Sequence, residues 1–345
     1  MKFIPYREAV DHKDVIVVDA YLPERLNLSH WRGVELPSHL IGDTSTEIVL
    51  RALAHDPKLA KRAFCTNNHF DIDGFLGVWA LHHPELALSN QDLLATMARL
   101  GDFREQYHDG PLFEQAIALV AHINEKEKHR FYSPFEMELE EEEACIPKYE
   151  FFLKSFTDLL TSNTFPDSFE YDQVMSQMEL MSHNGQVIKY PAIRLAVIKA
   201  PEPMHYYPLF AQTADVDTVL TIYPGQRYEL EQKYTTWVET ARDSLPRVAL
   251  GKLAKVLNQY EKGKEKIWEG DHFTETGPLL RVATKKLSRA ERFDHPMNRQ
   301  IVSSIIAEDV LTETVINYLT DCYRGIASKN RWSWGEVRKF NEGLA

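Results

Sequence analysis

The sequence is short of cysteine and contains no long apolar run. Only three of its 345 residues are cysteines, at positions 65, 145 and 322, and they lie far apart. This number and spacing exclude a disulfide framework and a cysteine zinc cluster, and they fit a reducing compartment. No stretch approaches the roughly 18 consecutive apolar residues of a membrane span. The first eight residues also lack the apolar core of a secretory signal. We therefore expect a cytoplasmic protein without a membrane partner.

Positive charge is also in short supply. The chain has 51 acidic and 39 basic residues and a formal net charge of −12. An acidic excess disfavours broad contact with a phosphate backbone or an anionic membrane surface, so extended nucleic-acid binding is not expected. The hydrophobic content of 44% is ordinary for a globular protein, and the length suffices for two domains. The composition does not indicate an oligomeric state.

The first part of the chain alternates predicted strands and helices. Val15–Val18 is a β-branched run, typical of a strand buried on both faces. A helix is predicted to start within 43–45, a strand to cover 62–66 and a second helix to cover 74–81. This alternation predicts an α/β domain in which helices flank a parallel sheet. Further helices are predicted at 91–100, 112–127 and 137–160.

A polar stretch at 161–167 predicts a domain boundary, which divides the chain into an α/β domain over 1–162 and a second domain over 163–345. Beyond it, short aromatic or β-branched runs at 193–198, 206–211 and 219–223 predict strands, and Pro224-Gly225 predicts a hairpin turn. Helices are predicted at 250–261 and 301–318. The second domain is therefore expected to be a smaller α+β domain with antiparallel strands.

One stretch has the composition of a chemical site, His69-Phe70-Asp71-Ile72-Asp73-Gly74. On an extended backbone, His69, Asp71 and Asp73 would point to the same side, because side chains alternate at a period of two. Imidazole and carboxylate ligands suit a divalent cation such as Mn, Fe, Zn or Mg. The other interpretation is that Asp71 or Asp73 merely caps the helix that follows, a common role of aspartate.

Three further residues are candidate ligands. Asp19 follows the strand Val15–Val18, at the strand end where open α/β sheets bind ligands, although it could be a plain turn residue. His30 could bind a metal or hydrogen-bond a carbonyl group in a loop. Asp102 follows Gly101, where a helix is predicted to stop, and is either a ligand or a loop residue. Asp43, Thr44 or Ser45 could cap the helix that follows, and for Asp43 a cap is a better interpretation than a catalytic role.

The stretch from His69 to Gly74 resembles the first motif of the DHH phosphoesterase superfamily, in which acidic or histidine residues alternate and end in Asp-Gly. The family's Asp-His-His signature is missing from this chain. Instead, Val17-Val18-Asp19 resembles the second motif and Leu28-Ser29-His30-Trp31 a degenerate third motif, and both precede the first. The resemblance therefore implies a circularly permuted DHH-like domain over roughly the first 105 residues. We expect the whole chain to belong to an uncharacterised bacterial family.

The resemblance also implies a function. It implies a metal-dependent phosphoesterase-like hydrolase that uses a metal-activated water on a phosphate ester or phosphoanhydride, with a nucleotide or short oligonucleotide as the small substrate. Manganese is the expected cofactor and magnesium the second choice. The expected metal ligands are His69, Asp71, Asp73, Asp19, His30 and Asp102, and the expected catalytic residues are Asp71, Asp73 and His30.

Two alternatives stay open. The chain could be a catalytically inactive DHH-like binding or interaction protein, because Trp31 stands where the family signature has a second histidine that contacts the scissile phosphate. It could also be an unrelated α/β hydrolase or transferase. The metal interpretation makes a geometric prediction: the stretch at 69–73 is half of a site, and the other half comes from the first 30 residues.

Overall fold

The computed structural model describes residues 1–106, 109–131, 140–162, 166–233, 237–261, 265–288, 291–292 and 294–344. The chain forms two compact units. The first contains Met1–Asp172 and Glu239–Ala241, and the second contains Gln173–Val238 and Arg242–Ala345. The predicted division after residue 162 therefore differs from the observed one after Asp172. Residues 163–165 of the predicted boundary and residues 137–139 of a predicted helix lie outside the described residues.

The first unit is built on a parallel sheet of four strands, as the α/β prediction requires. The strands are β1 (Lys2–Phe3), β2 (Val15–Val18), β3 (Leu26–Leu28) and β4 (Phe64–Thr66), in the spatial order β1-β4-β2-β3. Every adjacent pair is parallel. Strand β2 lies between β4 and β3 and is buried at all four positions, which explains its unbroken β-branched sequence.

The first unit also contains helices. They are α1 (Tyr6–Ala9), α2 (Ser45–His55), α3 (Ile72–His82), α4 (Pro84–Ser89), α5 (Gln91–Phe103), α6 (Pro111–Arg130), α7 (Glu141–Thr161) and α8 (Phe169–Asn184), the last of which continues into the second unit. Of these, α1, α2 and α3 contact strands of this sheet. Short 3₁₀ helices lie at Ser38–Leu40 and Pro57–Lys61. Helix α5 runs three residues past its predicted end at Leu100 and stops where Arg104 adopts a left-handed conformation with φ 60°. Asp102 is therefore in the last helical turn and not in a loop.

The second unit contains a mixed sheet with mostly antiparallel strands, as predicted. The strands are β5 (Gln186–Tyr190), β6 (Leu195–Lys199), β7 (Thr218–Tyr223), β8 (Arg227–Gln232), β9 (Ile267–Gly270) and β10 (Pro278–Ala283), in the order β5-β6-β7-β8-β10-β9. Only β6 and β7 pair in parallel among them. The predicted turn at Pro224-Gly225 joins β7 to β8, and Gly225 has the positive φ of 79° that such a turn needs.

The helices of the second unit are α9 (Tyr206–Phe210), α10 (Gly251–Tyr260), α11 (Glu308–Cys322) and α12 (Trp334–Leu344), with a 3₁₀ helix at Pro191–Ile193. The strand predicted at 206–211 is wrong, because these residues form α9. The His205 side chain accepts a hydrogen bond from the amide of Tyr207. Pro208 lies in the first turn of the helix, where the amide that proline lacks would have no partner within the helix. The helix predicted at 301–318 starts later, at Glu308, because the preceding segment is extended and the Ser304 amide donates to the carbonyl of Gln226.

No helix among the residues that the structure describes is both long enough and apolar enough to span a bilayer.

Candidate metal centre

The parallel strands of the first unit bring several polar residues to one edge of the sheet. Asp19 follows β2, the Ser29-His30 pair follows β3 and Asn67 follows β4. Because these three strands are neighbours and run in parallel, their carboxyl ends lie side by side. Asp19 turns sharply out of its strand, with φ 48°, a conformation that aspartate adopts more readily than most residues.

Asp19 lies at the centre of the cluster. Its Oδ1 atom is 3.2 Å from His30 Nε2, and its Oδ2 atom is 3.1 Å from His69 Nε2. The hydroxyl of Ser45 donates a hydrogen bond to Oδ1 at 2.7 Å. Each oxygen of this buried carboxylate therefore faces a different imidazole.

The first group of candidate ligands, here called the inner group, consists of Asp19, His30, Asp73 and Asp102. His30 Nε2 lies 3.7 Å from Asp73 Oδ2 and 3.4 Å from Asp102 Oδ2. Asp19, His30 and Asp73 offer ligand atoms that all lie within 4.8 Å of one another, and all three residues are buried. The inner group thus combines one imidazole with three carboxylates, of which only Asp102 is partly exposed, at 12%.

The second group, here called the outer group, consists of Asp19, His69 and Asp71. His69 Nε2 lies 3.1 Å from Asp71 Oδ2, and the ligand atoms of the three residues again lie within 4.8 Å of one another. This group is open to solvent, since the side chain of Asp71 is 41% exposed and that of His69 is 17% exposed. The two groups share Asp19 and no other residue.

The first turn of α2 holds Asp73 in place. The amides of Ser45 and Thr46 donate to Asp73 Oδ2 and Oδ1 at 2.7 and 2.8 Å, and the Thr46 hydroxyl donates to the Asp73 carbonyl at 2.7 Å. A carboxylate at a helix N-terminus is stabilised both by the unpaired amides and by the helix dipole. Both carboxylate oxygens of Asp73 are thereby fixed in one orientation.

Asp43 supports the site in a way that the sequence did not predict. The cap of α2 is Thr44, one of the three predicted candidates, whose hydroxyl accepts the amide of Glu47; Asp43 is not the cap. The Asp43 carbonyl instead lies 2.6 Å from His30 Nδ1. Because a carbonyl can only accept, His30 carries a proton on Nδ1, and in the neutral ring Nε2 then has a lone pair directed at the inner group.

Asp71 both caps a helix and faces His69. Its Oδ1 accepts the Gly74 amide at 2.8 Å as the N-cap of α3, and its Oδ2 faces His69 Nε2. Strand β4 ends at Thr66, so the prediction of an extended backbone through 69–73 is wrong. Asp71 and Asp73 point into different groups because α3 begins between them, at Ile72.

Gly74 must be a glycine at this corner. A Cβ atom there would lie 2.1 Å from Asn67 Nδ2 and 3.2 Å from Asp19 Oδ2. Asn67 is fully buried, its Nδ2 donates to the hydroxyl of Tyr149 at 2.9 Å, and its Oδ1 accepts the Asn68 amide at 2.6 Å. Because Gly74 has no side chain, there is room for the side-chain amide of Asn67, whose hydrogen bonds fix the loop before His69.

The charges of the cluster are mutually dependent. Burial alone would raise the pKa of Asp19, but hydrogen bonds from His30 and His69 hold that pKa well below its ordinary value. Burial lowers the pKa of His30, but Asp19 and Asp102 outweigh burial and raise it to about 10. Burial and the nearby Asp19 charge raise the pKa of Asp73 to about 7, and burial and Asp73 raise the pKa of Asp102 well above its ordinary value. Several carboxylates this close to one another favour a bound cation.

The structure brings together all six residues that the sequence proposed as ligands. Sequence reasoning missed the supporting residues: Asn67, Tyr149, the Asp43 carbonyl, and the amides of Ser45 and Thr46. The helix start at 43–45 was a usable signal for the last two, because free amides are available at every helix N-terminus. No sequence signal pairs Asn67 with Tyr149, which lies 82 residues later.

Comparison with known proteins adds the family of the chain. A model of DUF6687, described as a family of unknown function, matches residues 1–330. No curated protein and no solved structure matches the chain. The expectation of an uncharacterised family is confirmed, because the match covers nearly the whole sequence. The chain belongs to the DUF6687 family.

Proposed function

We propose that this protein is a metal-dependent phosphoesterase-like hydrolase with two cations at the inner and outer groups. The observation that carries the proposal is the position of Asp19, whose two carboxylate oxygens face separate ligand groups. Two-metal hydrolases use a pair of neighbouring cations, and Asp19, with one oxygen facing each ligand group, would help to hold both.

The donor atoms fit a hard or borderline divalent cation. Four carboxylates and two imidazoles contribute, and no cysteine belongs to either group. Oxygen-rich sites with one imidazole for each cation suit Mn²⁺, and Mg²⁺ is the second choice. A cation at each group would also offset the negative charge that Asp19, Asp73 and Asp102 concentrate in a buried place.

The chain's own residues would divide the work between the two groups. His30, Asp73 and Asp102 would hold the inner cation, and His69 and Asp71 would hold the outer one. Bound cations would supply a water of lowered pKa and positive charge to balance the phosphate oxygens. The substrate would approach from the side of Asp71, whose side chain, 41% exposed, is the most exposed of the six candidate ligands.

The proposed substrate is a phosphate ester or phosphoanhydride of the nucleotide or short oligonucleotide class, and the proposed relationship is to a circularly permuted DHH-like domain. Supporting the permutation, Asp19 and His30 precede His69 in sequence, but Asp19 lies within 3.2 Å of both imidazoles in space. We also propose that the protein acts in the cytoplasm, which is supported by its three buried and free cysteines.

A non-catalytic metal-dependent binding protein is the second candidate. It is favoured by Trp31, which occupies the sequence position of the second histidine of the Asp-His-His signature. The Trp31 ring centroid lies 5.9 Å from that of His69, so an apolar ring and not a second imidazole borders the outer group on this side.

Hydrolysis assays separate these candidates. Protein freed of metal with EDTA and reloaded with Mn²⁺ should hydrolyse bis(p-nitrophenyl) phosphate or pyrophosphate, whereas the metal-free protein should not. Asp71→Asn should lower kcat by at least about 100-fold, by analogy with the loss of other transition-state stabilising groups. Asp92→Asn, a change of the same kind at an exposed position of α5, should leave activity unchanged.

Two negative results have different meanings. Binding of Mn²⁺ without hydrolysis of either compound would favour the non-catalytic candidate. Failure of the protein to bind Mn²⁺, Mg²⁺ or Zn²⁺ would contradict both.

A further inference from the structure

A segment from the second half of the chain belongs to the unit that contains the candidate metal centre. Glu239–Ala241 is part of the first unit, although the chain on both sides of it belongs to the second unit. Glu239 and Thr240 are buried. The unit that carries the metal ligands is therefore not complete within the first 172 residues.

The segment makes two backbone hydrogen bonds around His30. The Glu239 amide donates to the carbonyl of His30 at 2.8 Å. The Ala241 amide donates to Asp43 Oδ1 at 2.8 Å, across a separation of 198 residues. Asp43 is the residue whose carbonyl accepts the Nδ1 proton of His30 at 2.6 Å. The segment thus contacts both His30 and the residue that orients its ring.

The backbone amide of Asp43 is hydrogen-bonded to a residue of α2. The Asp43 amide donates to Glu47 Oε2 at 3.0 Å, and Glu47 Oε1 pairs with Arg99 of α5. Glu47 therefore accepts a hydrogen bond from the Asp43 amide, and Ala241 donates one to the Asp43 carboxylate. Loss of the Ala241 contact would remove one of the hydrogen bonds that fix Asp43, and with it part of the support for the carbonyl that accepts from His30 Nδ1.

We propose that Glu239–Ala241 is a positioning segment for His30, through which the second half of the chain completes the inner group. This inference rests on the proposed metal centre. Groups that orient a metal-binding histidine through its other ring nitrogen typically change metal affinity by about 10–100-fold. The contribution of the segment should fall on the inner cation, because its two amides donate to His30, an inner ligand, and to Asp43, whose carbonyl accepts from the His30 ring.

The test is a titration of the full-length, metal-free protein with Mn²⁺ by isothermal titration calorimetry. Asp43→Ala removes the acceptor for the Ala241 amide and should weaken one of the two Mn²⁺ sites by about 10–100-fold while the other is unchanged. Asp43→Asn keeps a side-chain oxygen that can accept this amide, and it should restore nearly wild-type affinity at both sites.

Asp56→Ala is the matched control. Asp56 also uses a carboxylate oxygen to accept a backbone amide, that of Lys58 at 3.0 Å, but at the far end of α2. It should leave both Mn²⁺ affinities unchanged. A loss of fold stability alone would lower the melting temperature without selecting one of the two sites, so the selective loss separates positioning from general destabilisation.

Three results overturn one claim or the other. Wild-type affinity at both sites in a folded Asp43→Ala protein would contradict the positioning segment and leave the proposed function standing. Absence of Mn²⁺ binding by the wild-type protein would contradict the proposed function itself. If Asp43→Ala does not fold, Ala241→Pro removes the donor of the same hydrogen bond, and unchanged affinity in that variant would equally contradict the inference.

Discussion

Replacement of Asp19 by asparagine should remove both cations at once. Asparagine has the same shape and tolerates the left-handed backbone of this position, where φ is 48°. The substitution removes the negative charge from the oxygens that face His30 and His69 at 3.2 and 3.1 Å. Asparagine also has only one side-chain oxygen, whereas the inner group and the outer group each use one oxygen of Asp19 as a candidate ligand.

The loss of the two cations can be measured as a decrease in melting temperature. A cation that binds only the folded protein stabilises it by about 2.7 kcal/mol when its concentration is 100 times its Kd. For a domain of about 150–250 residues, each kcal/mol raises Tm by about 2–4 °C. One bound cation should therefore raise the Tm of the wild-type protein by about 5–11 °C and two by about 11–22 °C. Asp19→Asn should lose this increase almost entirely.

Thermal unfolding followed by circular dichroism, in EDTA and in excess Mn²⁺, measures this difference. The comparison in EDTA isolates any effect of the substitution on the metal-free fold. Asp14→Asn is a suitable control, because Asp14 is an exposed carboxylate that pairs with Arg62. A Mn²⁺-dependent rise in Asp19→Asn equal to that of the wild-type protein would refute the bridging role of Asp19.

Three further predictions follow from the same geometry. Asp71→Asn should leave one Mn²⁺ bound per chain, because Asp71 belongs only to the outer group. The affinity for Mn²⁺ should rise with pH throughout the range below about pH 10, by up to about tenfold per pH unit for each proton released. The sign follows from His30, whose pKa is raised to about 10 and whose Nε2 must lose its proton to bind a cation. Gly74→Ala should destabilise the protein by about 1–3 kcal/mol despite the better helix propensity of alanine, because its Cβ would lie 2.1 Å from Asn67 Nδ2. Gly335→Ala, with its nearest neighbour at 4.0 Å, should be neutral or slightly stabilising.

Each of these has a direct check. Equilibrium dialysis with Mn²⁺ counts the cations, and two retained by Asp71→Asn would contradict the division into groups. Calorimetric titrations at several pH values give the affinity, and an affinity independent of pH would mean that His30 releases no proton. Urea unfolding gives the free energy of unfolding, and a Gly74→Ala protein as stable as wild type would show that the loop before His69 can move aside.

Much of the first unit's fold could be predicted from local patterns. A run of four β-branched residues at Val15–Val18 has few stable alternatives to a buried strand, and it forms a strand between two neighbouring strands.

In the second unit, the strand predicted at 206–211 was wrong because aromatic residues favour strands only on average, whereas the local cap by His205 and the proline at 208 favour a helix. For segments this short, local capping contacts decide whether a helix or a strand forms.

The candidate ligands could be found from sequence, but their arrangement could not. The position of Asp19 and His30 at neighbouring strand ends follows from the rule that parallel strands end on the same edge. The separation of Asp71 and Asp73 into two groups depends on where α3 begins, which sequence patterns place only within a few residues. The contacts of Asn67 with Tyr149 and of Asp43 with Ala241 join positions 82 and 198 residues apart, and they depend on the tertiary fold.

The most direct test of the metal centre is anomalous X-ray scattering from a crystal grown with Mn²⁺. The proposal predicts two anomalous peaks about 3.5–4 Å apart on either side of the Asp19 carboxylate. One should be within bonding distance of His30 and the other of His69. Absence of a peak at Asp19 under saturating Mn²⁺, or peaks bound only elsewhere on the chain, would contradict it.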